Sequence, residues 1–109
     1  MKLVEELCAA LSGLPEVSQG PSRFGSHAHQ AWSVAGREFA HLHADDLLDL
    51  RLPRSVQAGL RDDPRAHFRK SRSEWLEFEF HDLDDVAHLV ALARQAWAAS
   101  RTPGNKRTR

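Results

Sequence analysis

The residues best suited to chemistry are concentrated in one short segment. Between Gly36 and Pro53 the chain reads GREFAHLHADDLLDLRLP, which contains two histidines and three aspartates: His41, His43, Asp45, Asp46 and Asp49. Imidazole beside carboxylate is a pairing used in acid–base catalysis and in metal binding, because the ring exchanges a proton near neutral pH or donates a nitrogen lone pair. We therefore place the candidate site in this segment.

Metal binding is one interpretation of the two histidines. His41 and His43 are two residues apart on a predicted strand, so their rings point to the same side with Cα atoms about 7 Å apart. A third ligand would come from Asp45 or His67, or from His27 or His29 across a hairpin. However, a His-x-His pair is a common accident in a chain with seven histidines. Histidines bonded to backbone or carboxylate are the favoured interpretation, so we predict no cofactor and keep a metal-dependent enzyme as an alternative.

Acid–base catalysis would use the same residues. His41 or His43 beside Asp45 or Asp49 makes an imidazole–carboxylate pair. No serine lies in a recognisable nucleophile elbow, and the scattered glycines form no phosphate-binding loop. The sequence therefore leaves open whether the protein is an enzyme.

A second candidate region is the basic stretch that precedes Trp75. Such stretches bind nucleic acid backbone or anionic ligands, and this one contains Arg65, His67, Arg69, Lys70 and Arg72. Because 15 Lys and Arg balance 15 Asp and Glu, the whole chain creates no strong field, and nucleic-acid binding is the less favoured alternative. Trp75 faces away from the apolar residues of its strand, which often marks a binding surface. We predict that a small anionic ligand or a protein partner binds a surface lined by His41, His43, His67, Arg69 and Trp75.

The elements that position these residues follow from hydrophobic periodicity and turn signals. The pattern predicts the order α-β-β-β-β-α-β-β-α, with a first helix over 1–11, a second over 54–62 and a last helix that Asp82 caps. Ala35-Gly36 has the length of a tight hairpin turn. With Val34 opposite Arg37, this hairpin would put Trp32, Phe39, His41 and His43 on one face of the sheet.

These elements favour an α+β fold. An antiparallel sheet of about five to six strands, with helices packed mainly on one face, buries the apolar stripes. Its 109 residues suit a single domain, which we assign to 1–100, followed by a basic, mobile tail over 101–109.

Composition also indicates a compartment. The lone Cys8 suits a reducing environment. The start of the chain does not resemble a signal peptide, and no apolar run has the length of a membrane span. We therefore expect a soluble, cytoplasmic protein that does not engage a membrane.

Several runs of residues resemble a known family. G-R-E-F-A-H-L-H-x-D, L-D-L-R-L-P, A-H-F, S-x-W-L-E-F and D-x-D-D-V resemble the luciferase-domain family of short bacterial proteins of unknown function, over about 16–99. The family name says little about the activity of these short members, so the resemblance carries no expectation of light emission. The order of elements is more distantly similar to the MmcQ/YjbR family, whose fold resembles the frataxin-like sheet and for which DNA binding is proposed. A shared fold by itself does not establish function.

Overall fold

The computed structural model describes residues 2–21, 30–68 and 73–101. The predicted order of elements is confirmed. The elements are α1 (Leu3–Ser12), β1 (Ser18–Pro21), β2 (Gln30–Val34), β3 (Arg37–Ala44), β4 (Leu47–Arg51), α2 (Arg54–Ala58), β5 (Ala66–His67), β6 (Trp75–Glu79) and α3 (Leu83–Ser100). Within these ranges, no helix combines the length and the apolarity needed to cross a membrane.

Six strands form one antiparallel sheet in the order β1-β2-β3-β4-β6-β5. The first four follow chain order. β6 then pairs with β4, and the two-residue β5 pairs with the outer side of β6. Residues distant in sequence are therefore neighbours at the centre of the sheet, where β4 lies between β3 and β6.

The hydrophobic core lies between one face of this sheet and the helices α1 and α3. Alternate residues of β4 and β6 point into it, among them Leu48, Leu50, Leu76 and Phe78, which are fully buried. Leu7 of α1 and Leu89 of α3 belong to the same cluster. We call this side of the sheet the core face and the opposite side the open face.

A two-residue turn joins β2 to β3. Ala35 and Gly36 both have positive φ, at 54° and 77°. This is the backbone conformation of the hairpin turn whose twist matches that of the flanking strands. The predicted hairpin is confirmed, although alanine is an unusual residue at such a φ.

The predicted register of this hairpin was wrong. Val34 lies opposite Arg37 as expected, but the register shifts between Trp32 and Ser33, and Trp32 pairs with Ala40 instead of Phe39. One extra residue in β3 lets both Phe39 and Ala40 be fully buried in the core. The residues beyond this bulge therefore change faces, so Trp32 and Phe39 belong to the core while His41 lies on the open face.

Local chemistry accounts for the start of α3 and the end of α2. Asp82 caps α3, its side chain accepting a hydrogen bond from the backbone N–H of Asp85. Helix α2 stops at Ala58, four residues before the predicted end, and Gly59 follows as its C-cap. Glycine is a weak helix former, which accounts for the shorter helix.

Candidate functional site

A row of imidazole and carboxylate side chains crosses the open face. His41 on β3 pairs with Asp49 on β4, Asp49 pairs with Glu77 on β6, and Glu77 pairs with His67 on β5. Directly paired residues of neighbouring strands project to the same side. Strand pairing alone therefore brings together four polar residues that are up to 36 positions apart in the sequence.

His41 is held between two carboxylates at the centre of this face. Its Nδ1 is 3.0 Å from Glu38 Oε2, and its Nε2 is 2.8 Å from Asp49 Oδ2. The side chains of His41, Glu38 and Asp49 are only 13%, 5% and 3% exposed. Each ring nitrogen lies within hydrogen-bond distance of a carboxylate oxygen. With both nitrogens in use, His41 is fixed in orientation.

Trp75 covers the next part of the open face. Its ring lies 4.7 Å from the His41 ring, between centroids, at an angle of 45°. The Arg51 guanidinium lies 5.6 Å from the centroid of the same indole, within range of a cation–π contact. Arg51 also pairs with Glu74 at 3.5 Å. The indole is partly exposed, and it offers an apolar surface beside a row of polar groups.

His43 is the more accessible of the two histidines on β3. Its Nδ1 lies 2.7 Å from Glu77 Oε2, and its side chain is 53% exposed. His43, Asp49 and Glu77 each offer one ligand atom, and these three atoms lie within 4.8 Å of one another. A nitrogen and two carboxylate oxygens at this spacing are able to converge on a metal ion.

A second imidazole–carboxylate group lies at the edge of the open face. Glu79 accepts from His81 and from His67, with both nitrogen–oxygen distances at 2.6 Å. The hydrogen bond from His81, and then that from His67, lowers the pKa of Glu79 below its usual value. The same bond to Glu79 raises the pKa of His81. All three side chains are substantially exposed, so this group is solvated.

The structure brings together four of the five residues predicted to line the site. His41, His43, His67 and Trp75 share the open face, while Arg69 lies outside the described residues, as do His27, His29, Lys70 and Arg72. Asp45 lies in the exposed turn between β3 and β4. The predicted pairing of His41 with Asp49 is present. Asp49 is buried, whereas an outward-facing aspartate of a surface strand would be exposed.

Three acidic residues of the site were missed: Glu38, Glu77 and Glu79. The alternation of β6 did place Glu77 and Glu79 on the same side as Trp75, and that was the available signal. Glu38 carried no such signal, because the bulge at Phe39 sets its position.

The basic stretch is partly engaged in a structural network on the other side of β5. Arg65 pairs with Asp63 and Asp85, and His88 Nε2 lies 2.6 Å from Asp63 Oδ2. Burial alone would raise the pKa of Asp63, but hydrogen bonds from Arg65 and His88 outweigh it and lower the pKa. Arg65 also lowers the pKa of Asp85. These pairs connect the loop before β5 to the start of α3.

Fold and site together define a small α+β domain with a helix-covered core face and a polar open face. Residues 36–96 match the protein-family model described as the luciferase domain. This span is more than half of the 109 residues and contains the whole His41–Asp49–Glu77–His67 row. The chain belongs to the luciferase-domain family, as its motifs predicted. A comparison with curated proteins gives no match.

Proposed function

We propose that this luciferase-domain protein is a ligand-binding domain whose site is the open face around His41, His43 and Trp75. One observation carries the proposal: His41 is held between two nearly buried carboxylates, next to a partly exposed indole, on the face opposite the helices. A fixed polar group beside an apolar surface is the usual composition of a small-molecule site.

Stability alone is a poor explanation for this network. Removing charges from water is unfavourable, and a buried ion pair often stabilises a protein no more than apolar residues of the same volume do. The core face shows that this sequence readily supplies leucine and phenylalanine at alternate positions of β4 and β6. The Glu38–His41–Asp49 group is thus better explained by a role in binding.

The chemistry of the open face suggests the kind of ligand. The Trp75 indole would contact an apolar or planar part of a small molecule. Arg51 and the exposed imidazoles of His43 and His67 would contact an anionic group, with Arg69 as a further candidate from sequence. We propose a small organic acid or a similar anionic ligand, in preference to a protein partner.

Nucleic-acid binding, the proposal attached to the MmcQ/YjbR family, receives less support. Within the described part of the basic stretch, Arg65 is committed to Asp63 and Asp85. The formal net charge of the chain is zero, so no strong whole-chain field attracts a phosphate backbone.

A thermal-shift screen against organic acids and nucleotides tests the proposal. Trp75→Leu and Trp97→Leu form a matched pair, because Trp97 lies on α3, where its Nε1 donates to Pro15 O. We expect an anionic ligand to raise the Tm of the wild type and of Trp97→Leu, each relative to its own ligand-free state, but not that of Trp75→Leu. Loss of the shift in both variants, or no shift with any compound at high excess, would contradict the proposed site.

A further inference from the structure

Three neighbouring strands each contribute one potential metal ligand to the open face. His43 comes from β3, Asp49 from β4 and Glu77 from β6, and their ligand atoms lie within 4.8 Å of one another. Asp49 and Glu77 are directly paired, and His43 lies where the β3–β4 register shifts between Leu42 and Ala44, so the backbone already places the three side chains together. We propose that His43, Asp49 and Glu77 bind a divalent cation such as Zn²⁺.

The donor set suits this class of ion. Zn²⁺ accepts imidazole nitrogen and carboxylate oxygen, and sites with three protein ligands keep a further position for water or for a bound molecule. Two of the ligands, Asp49 and Glu77, are directly opposed on paired strands. Like charges in this arrangement are destabilising, and a cation between them would relieve the repulsion.

The neighbours of the three residues support the same assignment. His41 donates to Asp49, and its other nitrogen is bonded to Glu38. This chain of contacts fixes the orientation of the Asp49 carboxylate before any ion arrives. Hydrogen-bonded partners of this kind orient the ligands of metal sites. His41 thereby acts as a positioning residue, whereas the His-x-His interpretation of the sequence made both histidines ligands.

The proposed cation rests on the proposed function, because it would explain how the same open face binds an anionic ligand. The carboxylates of the open face repel an anionic ligand, and a divalent ion between Asp49 and Glu77 would reverse the local charge. The exposed His43 side of the group faces solvent, so the remaining coordination positions would be open to a carboxylate or phosphate group of the ligand. The metal site thus explains how an acidic surface binds an anion.

A second group on the same sheet supplies the control. Glu79 lies two residues beyond Glu77 on β6 and also bonds to histidine. His81 is 58% exposed, close to the 53% of His43. The Glu79 group contains one carboxylate against the two of the proposed site. Glu79→Gln and His81→Ala therefore match Glu77→Gln and His43→Ala in residue type and exposure.

Calorimetric titration of the protein with zinc chloride tests the site directly. We expect His43→Ala and Glu77→Gln each to weaken the zinc Kd at least about tenfold, as loss of a ligand should, whereas His81→Ala and Glu79→Gln stay within about twofold of the wild type. His41→Gln should weaken zinc binding less than loss of a ligand does, since it removes only the support of Asp49. Circular dichroism of each variant establishes that it is folded. Because His43→Ala and Glu77→Gln change different ligands on different strands, each tests the site independently of the other.

Two results would overturn the metal site. One is a wild-type Kd for zinc weaker than about 1 mM, and the other is an equal loss of affinity in the Glu79→Gln and His81→Ala controls. The failures of the two proposals are distinguishable by repeating the organic-acid screen in EDTA. If an organic acid still raises the Tm in EDTA and the protein does not bind zinc, the metal site is contradicted and the ligand site is supported. If the protein binds zinc but no organic acid raises its Tm, the ligand site is contradicted and the metal site is supported.

Discussion

The two faces of the central strands use the same backbone for opposite purposes. Leu48, Leu50 and Phe78 point to the core face and are fully buried beneath the helices. Asp49 and Glu77 alternate with them and point to the open face, where they bond to histidines. Asp49 is nearly as buried as its apolar neighbours, so burial alone does not distinguish the faces. The difference lies in what each face offers its buried side chains: apolar contacts on the core face, and hydrogen bonds between histidines and carboxylates on the open face.

This comparison shows which residues respond to which kind of change. Shortening a buried apolar side chain lowers the stability of the protein by an amount that grows with the volume of the cavity it leaves. Removing one member of a buried charged pair lowers the stability, because the other charge is left buried and unpaired. Replacing both members with apolar residues has little effect.

The largest effect is expected on the core face. Leu50→Ala should lower the free energy of unfolding by about 3–4 kcal/mol, because it opens a cavity beneath α3. Urea denaturation followed by circular dichroism measures this change. Leu83→Ala is the control, since Leu83 is exposed, and it should change stability by no more than about 0.5 kcal/mol. Similar losses in both variants would mean that the core has been misplaced.

A single substitution on the open face should have a smaller but clear effect. Asp49→Ala should lower the free energy of unfolding by about 2–3 kcal/mol, because it leaves the enclosed His41 ring without one of its two hydrogen-bond partners.

The sharper test replaces the whole group. The triple variant Glu38→Leu, His41→Leu and Asp49→Leu should be about as stable as the wild type, since no buried charge is then left alone. The same urea denaturation applies, and a triple variant less stable than Asp49→Ala would show that the network serves stability after all.

The cap of α3 should contribute less than either face. Asp82→Ala removes the hydrogen bond to the Asp85 N–H and should lower the free energy of unfolding by about 1 kcal/mol. Asp82→Asn retains an acceptor and should restore most of the loss. Equal destabilisation by alanine and asparagine would assign the effect to charge and not to capping.

The smallest effect is expected at the edge of the open face and depends on pH. The hydrogen bond to Glu79 raises the pKa of His81 above 6.5, so its contribution to stability is complete below that pH and is lost as pH rises through the folded-state pKa. The pKa of Glu79 is lowered from 4.5, so its contribution is complete above that pH and is lost in more acidic solution.

The Tm difference between wild type and His81→Ala should therefore be larger at about pH 5.5 than at about pH 8.5. Differential scanning calorimetry in buffers of equal ionic strength measures it. A difference that grows toward alkaline pH would have the opposite sign to the one this pair predicts.

Local signals in the sequence were sufficient for much of the fold. The apolar alternation of β4 and β6, the turn at Ala35-Gly36 and the cap at Asp82 each depend on a few neighbouring residues, and each was predicted correctly. The luciferase-domain motifs led to the right family for the same reason.

The composition of the site depended on information that no local pattern holds. Asp49 meets Glu77 because β6, and not β5, pairs with β4, and strand order is a property of the whole chain. The bulge at Phe39 moves His41 to the face opposite Trp32 and Phe39, and both registers present plausible hydrophobic alternation. His41 was therefore predicted on the correct strand and beside Asp49, but wrongly on the same face as Trp32 and Phe39.

The backbone strain at Ala35 means that a substitution in this turn can make the domain more stable. An alanine at φ of 54° carries about 1 kcal/mol of backbone strain that glycine or asparagine would avoid. This residue lies in the β2–β3 turn, at the end of the hairpin, so relieving its strain should alter neither the ligand surface nor the packing beneath the helices. An engineer who wished to rebuild the open face for another molecule would have a compensating substitution available at Ala35, where it can offset the stability that new binding residues remove.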